Sequence, residues 1–128
     1  MNVTGGDGVL IAGFVIGGNA SKTVLVRGVG PSLSQFGIAG VMPDPQIAVF
    51  SGATQIASNS GWETGTSTRG QIAATSAQVG AFPLPSGSKD AALLITLPPD
   101  NYTVEVTSLS NTIGVALVEV YDASQSSQ

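Results

Sequence analysis

The stretch VLIAGFVIGGNASKTVLVRGV at residues 9–29 decides the fold class of this chain. Two runs rich in branched aliphatic residues flank the segment Gly17-Gly18-Asn19, whose composition is typical of a turn between strands. The rest of the chain follows the same plan, because 17 glycines and 7 prolines separate many short β-branched runs. The sequence therefore predicts strands at about residues 8–17, 21–29, 45–51, 54–59, 90–97, 101–108 and 113–121.

These strands predict an all-β fold, an antiparallel β-sandwich that is jelly-roll-like and has seven to nine strands with one short helix. The length fits a single domain over residues 1–123, followed by a polar tail at residues 124–128. The helix is predicted between Thr68 and Gly80, where Ile72 and Ser76 follow a helical spacing. We expect it to cover one open end of the sandwich.

Several predicted strands are apolar on both faces, as in Ala92-Leu93-Leu94-Ile95 and Val115-Ala116-Leu117-Val118. Such strands are covered on both sides, either by a second layer or by a neighbouring subunit. By contrast, the run from Tyr102 to Thr107 alternates apolar and polar residues, which indicates a half-exposed strand.

The composition excludes several classes of function. Charged residues make up 9% of the chain against about 25% in typical soluble domains, and four basic residues face eight acidic ones. Without a basic run, a nucleic-acid partner is not expected. Because the chain has no His and no Cys, it lacks the usual general base, zinc ligands and thiol nucleophile. We therefore expect no catalytic residues and no enzyme activity, and no apolar run suggests membrane insertion.

Metal and cofactor sites are not expected either. Calcium is the one alternative left open, because hard cations bind clustered oxygen atoms. The oxygen-bearing candidates are Asp44, Asn59, Glu63, Asp90, Asp100 and Asp122. None of them follows the dense acidic spacing of a calcium-binding loop.

Two charged residues stand inside apolar strands. Arg27 follows Val24-Leu25-Val26, and Glu119 lies between Val118 and Val120. Since a lone buried charge is costly to desolvate, we predict a structural ion pair between Arg27 and Glu119. Binding of the Arg27 guanidinium to carbonyls of the loop at residues 28–32 is the alternative.

Trp62 is the candidate for ligand stacking, because it lies in a Gly- and Ser-rich segment that could expose its ring to a sugar. It could equally fill one end of the sandwich.

The first long strand is the candidate assembly element. Its apolar residues, Val9, Leu10, Ile11, Phe14, Val15 and Ile16, lie between the glycine-rich segments at residues 5–8 and 17–18. A strand between two such hinges can pair within its own domain or with the open edge of a neighbour. The sequence leaves both alternatives open.

The chain also resembles a poorly characterised family, the C-terminal β-sandwich accessory module of large secreted and cell-surface proteins of free-living bacteria. The matching stretches include VLIAGFVI (9–16), KTVLVRGVGPSL (22–33), VGAFPL (79–84), DAALL (90–94) and GVALVEVYD (114–122). The resemblance implies an exported β-sandwich and no known reaction. This chain has Ser60-Gly61 where the family often has acidic residues, so no metal site is implied there.

Together these features predict a secreted or cell-surface domain that serves as a non-catalytic structural or self-association module. It would be a homo-oligomer, or a subunit of a fibre, tube or other surface assembly. Low charge and doubly apolar strands are the reasons. The alternative is a module that binds carbohydrate or a cell surface, with polysaccharide as its partner.

Overall fold

The computed structural model describes residues 2–3, 9–64, 69–110 and 114–123. This part of the chain contains eight strands: β1 (Asn2–Val3), β2 (Val9–Ile16), β3 (Lys22–Val29), β4 (Pro45–Ser51), β5 (Thr54–Ser60), β6 (Ala91–Leu97), β7 (Asp100–Ser108) and β8 (Ala116–Asp122). It also contains a 3-10 helix (Pro31–Phe36) and one α-helix, α1 (Arg69–Gln78). The predicted polar tail at residues 124–128 lies outside the described residues.

The strands form two antiparallel four-stranded sheets, which we call sheet A and sheet B. Sheet A has the order β1-β8-β3-β6, and sheet B has the order β2-β7-β4-β5. The first strand pairs with the last, the second with the seventh, the third with the sixth and the fourth with the fifth. This nested pairing is that of a jelly roll, in which a long antiparallel hairpin folds over into two sheets. The predicted antiparallel sandwich of seven to nine strands is confirmed.

The main core lies between the two sheets. Alternate residues of β2 to β8 point into it, as Val24 and Val26 do from β3 and Val104 and Val106 do from β7. On β7 the intervening residues are only half-buried, which agrees with the alternation in the sequence. This core explains one apolar face of these seven strands.

A second core explains the other face of sheet A. Leu25 and Val29 point away from sheet B and pack with Leu33, Trp62 and Ile72. The chain itself supplies this covering layer, from the 3-10 helix, the segment around Trp62, α1 and the loop at residues 81–85. Doubly apolar strands in sheet A therefore require no neighbouring subunit, which removes one of the reasons for expecting self-association.

The helix lies in the predicted segment, but its expected position was wrong. It contacts β3 and β6, so it covers the outer face of sheet A and not an open end of the sandwich. Ile72 and Ser76 are buried on the side facing the sheet, whereas Ala73 is exposed. Among the described residues, no helix is long and apolar enough to cross a lipid bilayer.

Candidate functional site

The edges of the two sheets are the surfaces at which this fold can meet a partner through its backbone. Sheet B ends in β2 and β5, and sheet A ends in β1 and β6. The three longer edge strands carry no Lys, Arg, Asp, Glu or Pro between them. Charges and prolines are the usual means by which proteins prevent pairing at a sheet edge, so these edges lack a common form of protection.

The predicted assembly strand, β2, pairs within its own domain. Val9 to Ile16 lie opposite Thr107 to Asp100 of β7 without any shift in register. Leu10 and Ile16 are buried in the main core, and Ala12 and Phe14 pack partly against it. Of the two alternatives that the sequence leaves open, internal pairing is the one found in the single chain. The other edge of β2 pairs with no strand among the described residues.

The outer face of β2 is exposed and apolar. The side chains of Ile11 and Val15 are 57% and 68% exposed, respectively, and Gly13 lies between them. Beside the end of β2, a groove of about 280 Å³ opens between the sheets. Phe14, Val24 and Val120 contribute apolar walls to this groove, and Lys22 and Asp122 stand at its rim.

A second groove, of about 680 Å³, runs along the opposite side of the sandwich between β5 and β6. Its walls combine polar residues of β5, such as Ser58 and Ser60, with Leu94 and Ile95 of β6. None of the described residues that line it is aromatic. These described residues therefore do not include the flat ring on which sugar-binding sites commonly stack a pyranose.

Trp62 does not supply that ring. Its side chain is only 3% exposed and packs in the second core with Leu33 and Ile72. The indole Nε1 donates a hydrogen bond to the carbonyl oxygen of Pro85 at 3.1 Å. The assignment of Trp62 to ligand stacking is therefore corrected, because the loop at residues 81–85 buries the ring and binds its polar atom. Trp62 is a packing residue, but it lies in the second core over the outer face of sheet A and not at one end of the sandwich.

Arg27 and Glu119 are brought together across neighbouring strands. They face each other directly in the register of β3 and β8, and Arg27 Nε lies 2.9 Å from Glu119 Oε1. The N–H direction does not meet hydrogen-bond geometry, so the attraction is chiefly coulombic. Arg27 is fully buried, between sheet A and the covering layer, whereas 17% of the Glu119 side chain is exposed.

Other groups complete the surroundings of this pair. Arg27 Nη1 donates to the carbonyl oxygen of Phe82 at 2.7 Å, and the Phe82 ring lies 4.5 Å from the guanidinium carbon. The Tyr121 hydroxyl donates to Glu119 Oε2 at 2.8 Å. Burial lowers the pKa of Arg27, while Glu119 opposes that change. Burial and the hydrogen bond to Glu119 raise the pKa of Tyr121. Arg27 thus binds a carbonyl of the covering layer and not those of residues 28–32.

Asp90, which the sequence offered only as a candidate calcium ligand, is a buried polar centre of the fold. Its Oδ1 accepts hydrogen bonds from the backbone N–H of Gly30 at 2.8 Å and of Ser32 at 3.2 Å. Its Oδ2 accepts hydrogen bonds from the hydroxyls of Ser32 and Ser88. Its backbone carbonyl oxygen accepts a hydrogen bond from the backbone N–H of Trp62 at 2.7 Å. The carboxylate ties the start of the 3-10 helix to the start of β6. An aspartate directly before the wholly apolar Ala91-Ala92-Leu93 was the available signal.

The calcium candidates are not brought together. Within the described residues, no group of three or more acidic side chains converges on a point that could hold a metal ion. Asp44 accepts a hydrogen bond from the Ser108 hydroxyl at 2.7 Å, and this bond lowers its pKa. Glu63 accepts from the hydroxyl of Ser86 and the N–H of Gly87. Each of these carboxylates serves a local contact.

Comparison of the chain with models of known protein families, with curated proteins and with solved structures found no significant match. The resemblance to an accessory module of secreted bacterial proteins therefore remains an expectation based on the quoted motifs.

Proposed function

We propose that this domain is a non-catalytic self-association module of an assembly outside the cytoplasm. The observation that carries the proposal is the lack of charged residues and prolines on the longer edge strands. β2, β5 and β6 contain no charged residue and no proline, so nothing of that kind opposes pairing with another copy. On β6, however, the backbone N–H of Ala92 already donates to Asn59 Oδ1 of β5 at 3.0 Å, which leaves β2 and β5 as the more open edges. The extracellular location is supported by the resemblance alone.

The surface composition supports the same proposal. With a charged fraction of 9% and a net charge of −4 over 128 residues, long-range repulsion between copies is weak. Ile11 and Val15 on β2 and Ile56 on β5 add exposed aliphatic side chains to two of the edge strands. The support thus comes from edges and exposed apolar groups, and not from the doubly apolar strands of sheet A.

Sedimentation velocity of the purified domain over a wide range of protein concentration tests this function. We expect the weight-average sedimentation coefficient to rise with concentration and to change little between low and high salt, because the edges are uncharged. A single monomeric species throughout the range would contradict the proposal. Detection of the native protein in the cytoplasm of its host, and not at the surface or in the medium, would contradict the extracellular part alone.

A further inference from the structure

The structure points to one edge, one partner and one register for this association. We propose that β2 pairs antiparallel with β2 of a second copy of the chain, about a two-fold axis at Gly13. The inference rests on the proposed self-association and adds the contact through which it occurs. Two four-stranded B sheets would then join into one continuous sheet.

The alternation of side chains limits the register. Residues opposed across two antiparallel strands must point to the same face of the sheet, so a two-fold axis has to pass through one residue and its own copy. With the axis at Gly13, Ile11 faces Val15 of the second copy on the outer side, and Leu10 faces Ile16 on the core side. The two exposed aliphatic side chains of each β2 are thereby matched with those of the other.

Gly13 has no evident role within its own domain. A Cβ atom there would approach only the carbonyl oxygen of Tyr102, at an ordinary 3.7 Å, and no positive φ demands a glycine. The pairing of β2 with β7 is regular through this residue, which excludes a bulge. A glycine inside a regular strand weakens it and often marks close approach of another backbone. The two-fold axis provides that approach.

The other side of the sandwich is a poorer candidate. The pairing of β5 with β4 shifts register between Val49 and Phe50, and bulges of this kind twist an edge away from a flat partner. β2 has no such shift, and a groove with apolar walls opens beside it. A second copy of β2 would cover the mouth of that groove.

The charge and the size of the β2 contact determine how strong a dimer we expect. No charged residue lies within β2, so two copies can approach without repulsion between opposed residues. Stable interfaces bury about 800 Å² on each partner, and a contact through one strand is small by comparison. We therefore expect a weak dimer that forms at high protein concentration.

Single cysteines in this cysteine-free chain test the register directly. Directly opposed residues have Cα atoms about 4.5–5.5 Å apart, within reach of a disulfide. Gly13→Cys should therefore cross-link to itself under mild oxidation. Ile11→Cys alone should not, because its copy would be displaced by four residues, or about 13 Å; Val15→Cys alone should fail for the same reason. An equimolar mixture of Ile11→Cys and Val15→Cys should cross-link.

Charge added to the edge supplies a second, independent measurement. The double variant Ile11→Lys, Val15→Lys should remain monomeric at concentrations where the unmodified chain associates, whereas Ile56→Lys on β5 should associate normally. If the chain associates but Gly13→Cys does not cross-link and the double lysine variant still associates, the β2 contact is wrong and the proposed function stands. If the unmodified chain stays monomeric at all concentrations, both proposals fail.

Discussion

Removal of the Glu119 carboxylate should destabilise the domain more than removal of its partner. In Glu119→Leu, the guanidinium of Arg27 would stay fully buried without its nearest counter-charge, and only the weaker attraction of Asp90 would remain. Its remaining contacts are the Phe82 carbonyl and ring and the Ser76 hydroxyl at 3.4 Å. Breaking a buried pair in this way costs about 3–5 kcal/mol.

Removal of Arg27 should cost less. In Arg27→Met, Glu119 would keep its partial exposure and its hydrogen bond from Tyr121, so we expect a loss of about 1–3 kcal/mol. Replacing both members by apolar residues removes both desolvation costs and is often neutral. The double variant Arg27→Met, Glu119→Leu should accordingly recover most of the stability that Glu119→Leu loses.

Urea unfolding followed by circular dichroism measures these differences. At an m-value of about 2 kcal/mol/M, a loss of about 4 kcal/mol lowers the midpoint by about 2 M. Lys22→Met is the matched control, because its pair with Asp122 is 3.5 Å long and both side chains are well exposed, which limits its value to about 1 kcal/mol or less. A midpoint for Glu119→Leu no lower than that of Lys22→Met, or a double variant no more stable than Glu119→Leu, would refute a buried, mutually dependent pair.

Four further predictions concern the rest of the structure. Asp90→Asn places an amide group against N–H and O–H donors and should cost at least about 1–3 kcal/mol in urea unfolding; stability equal to that of the unmodified chain would contradict a buried carboxylate. Gly30→Ala should destabilise strongly, because its Cβ would lie 2.1 Å from the backbone oxygen of Met42, while Gly17→Ala, with nothing within 4 Å, should be nearly neutral; equal melting temperatures would count against this. The hydrogen bond from Ser108 lowers the pKa of Asp44 in the folded state, so its contribution to stability should be present at neutral pH and decline as the pH falls below about 4; the stability difference between Asp44→Asn and the unmodified chain should shrink over that interval, and a constant difference would argue against it. Trp62 is the only tryptophan, so native fluorescence should be blue-shifted, resistant to acrylamide and unchanged by polysaccharides; a saturable change on sugar addition would restore the binding alternative.

The covering layer changes the interpretation of the low charge and the doubly apolar strands. Low charge and doubly apolar strands suggested that apolar surface is left over for neighbouring subunits. The structure assigns Leu25, Val29 and Ala92 to a second core that the chain closes with its own helix and loops. The apolar surface that remains exposed on edge strands is concentrated in a few side chains, above all Ile11 and Val15 of β2. Any association must therefore depend on backbone pairing at an edge as much as on burial of apolar area.

Local pattern alone determined where seven of the eight strands and the helix lie; the two-residue strand β1 was not predicted. Alternation of side chains, β-branched runs and the spacing of Gly and Pro act over a few residues, so they are visible without a fold. That is why the boundaries of β2, β3, β4 and β7 agree with the sequence to within one or two residues. The pairing of Arg27 with Glu119 was also predictable, since two opposite charges in apolar strands of a chain with few charges have few other partners.

Tertiary structure decided everything that depends on residues distant in the sequence. Only the nested strand order shows that β2 is an edge and β3 is not. Only the covering layer over sheet A shows that Trp62 is buried beneath the loop at residues 81–85. It also shows that the helix covers a face of the sheet and not an end of the sandwich. The carboxylate of Asp90 accepts hydrogen bonds from Gly30, Ser32 and Ser88, and only the folded chain brings these residues around it. Burial and hydrogen bonding at these positions are set by which segments meet in space, and a pattern read along the chain does not contain that information.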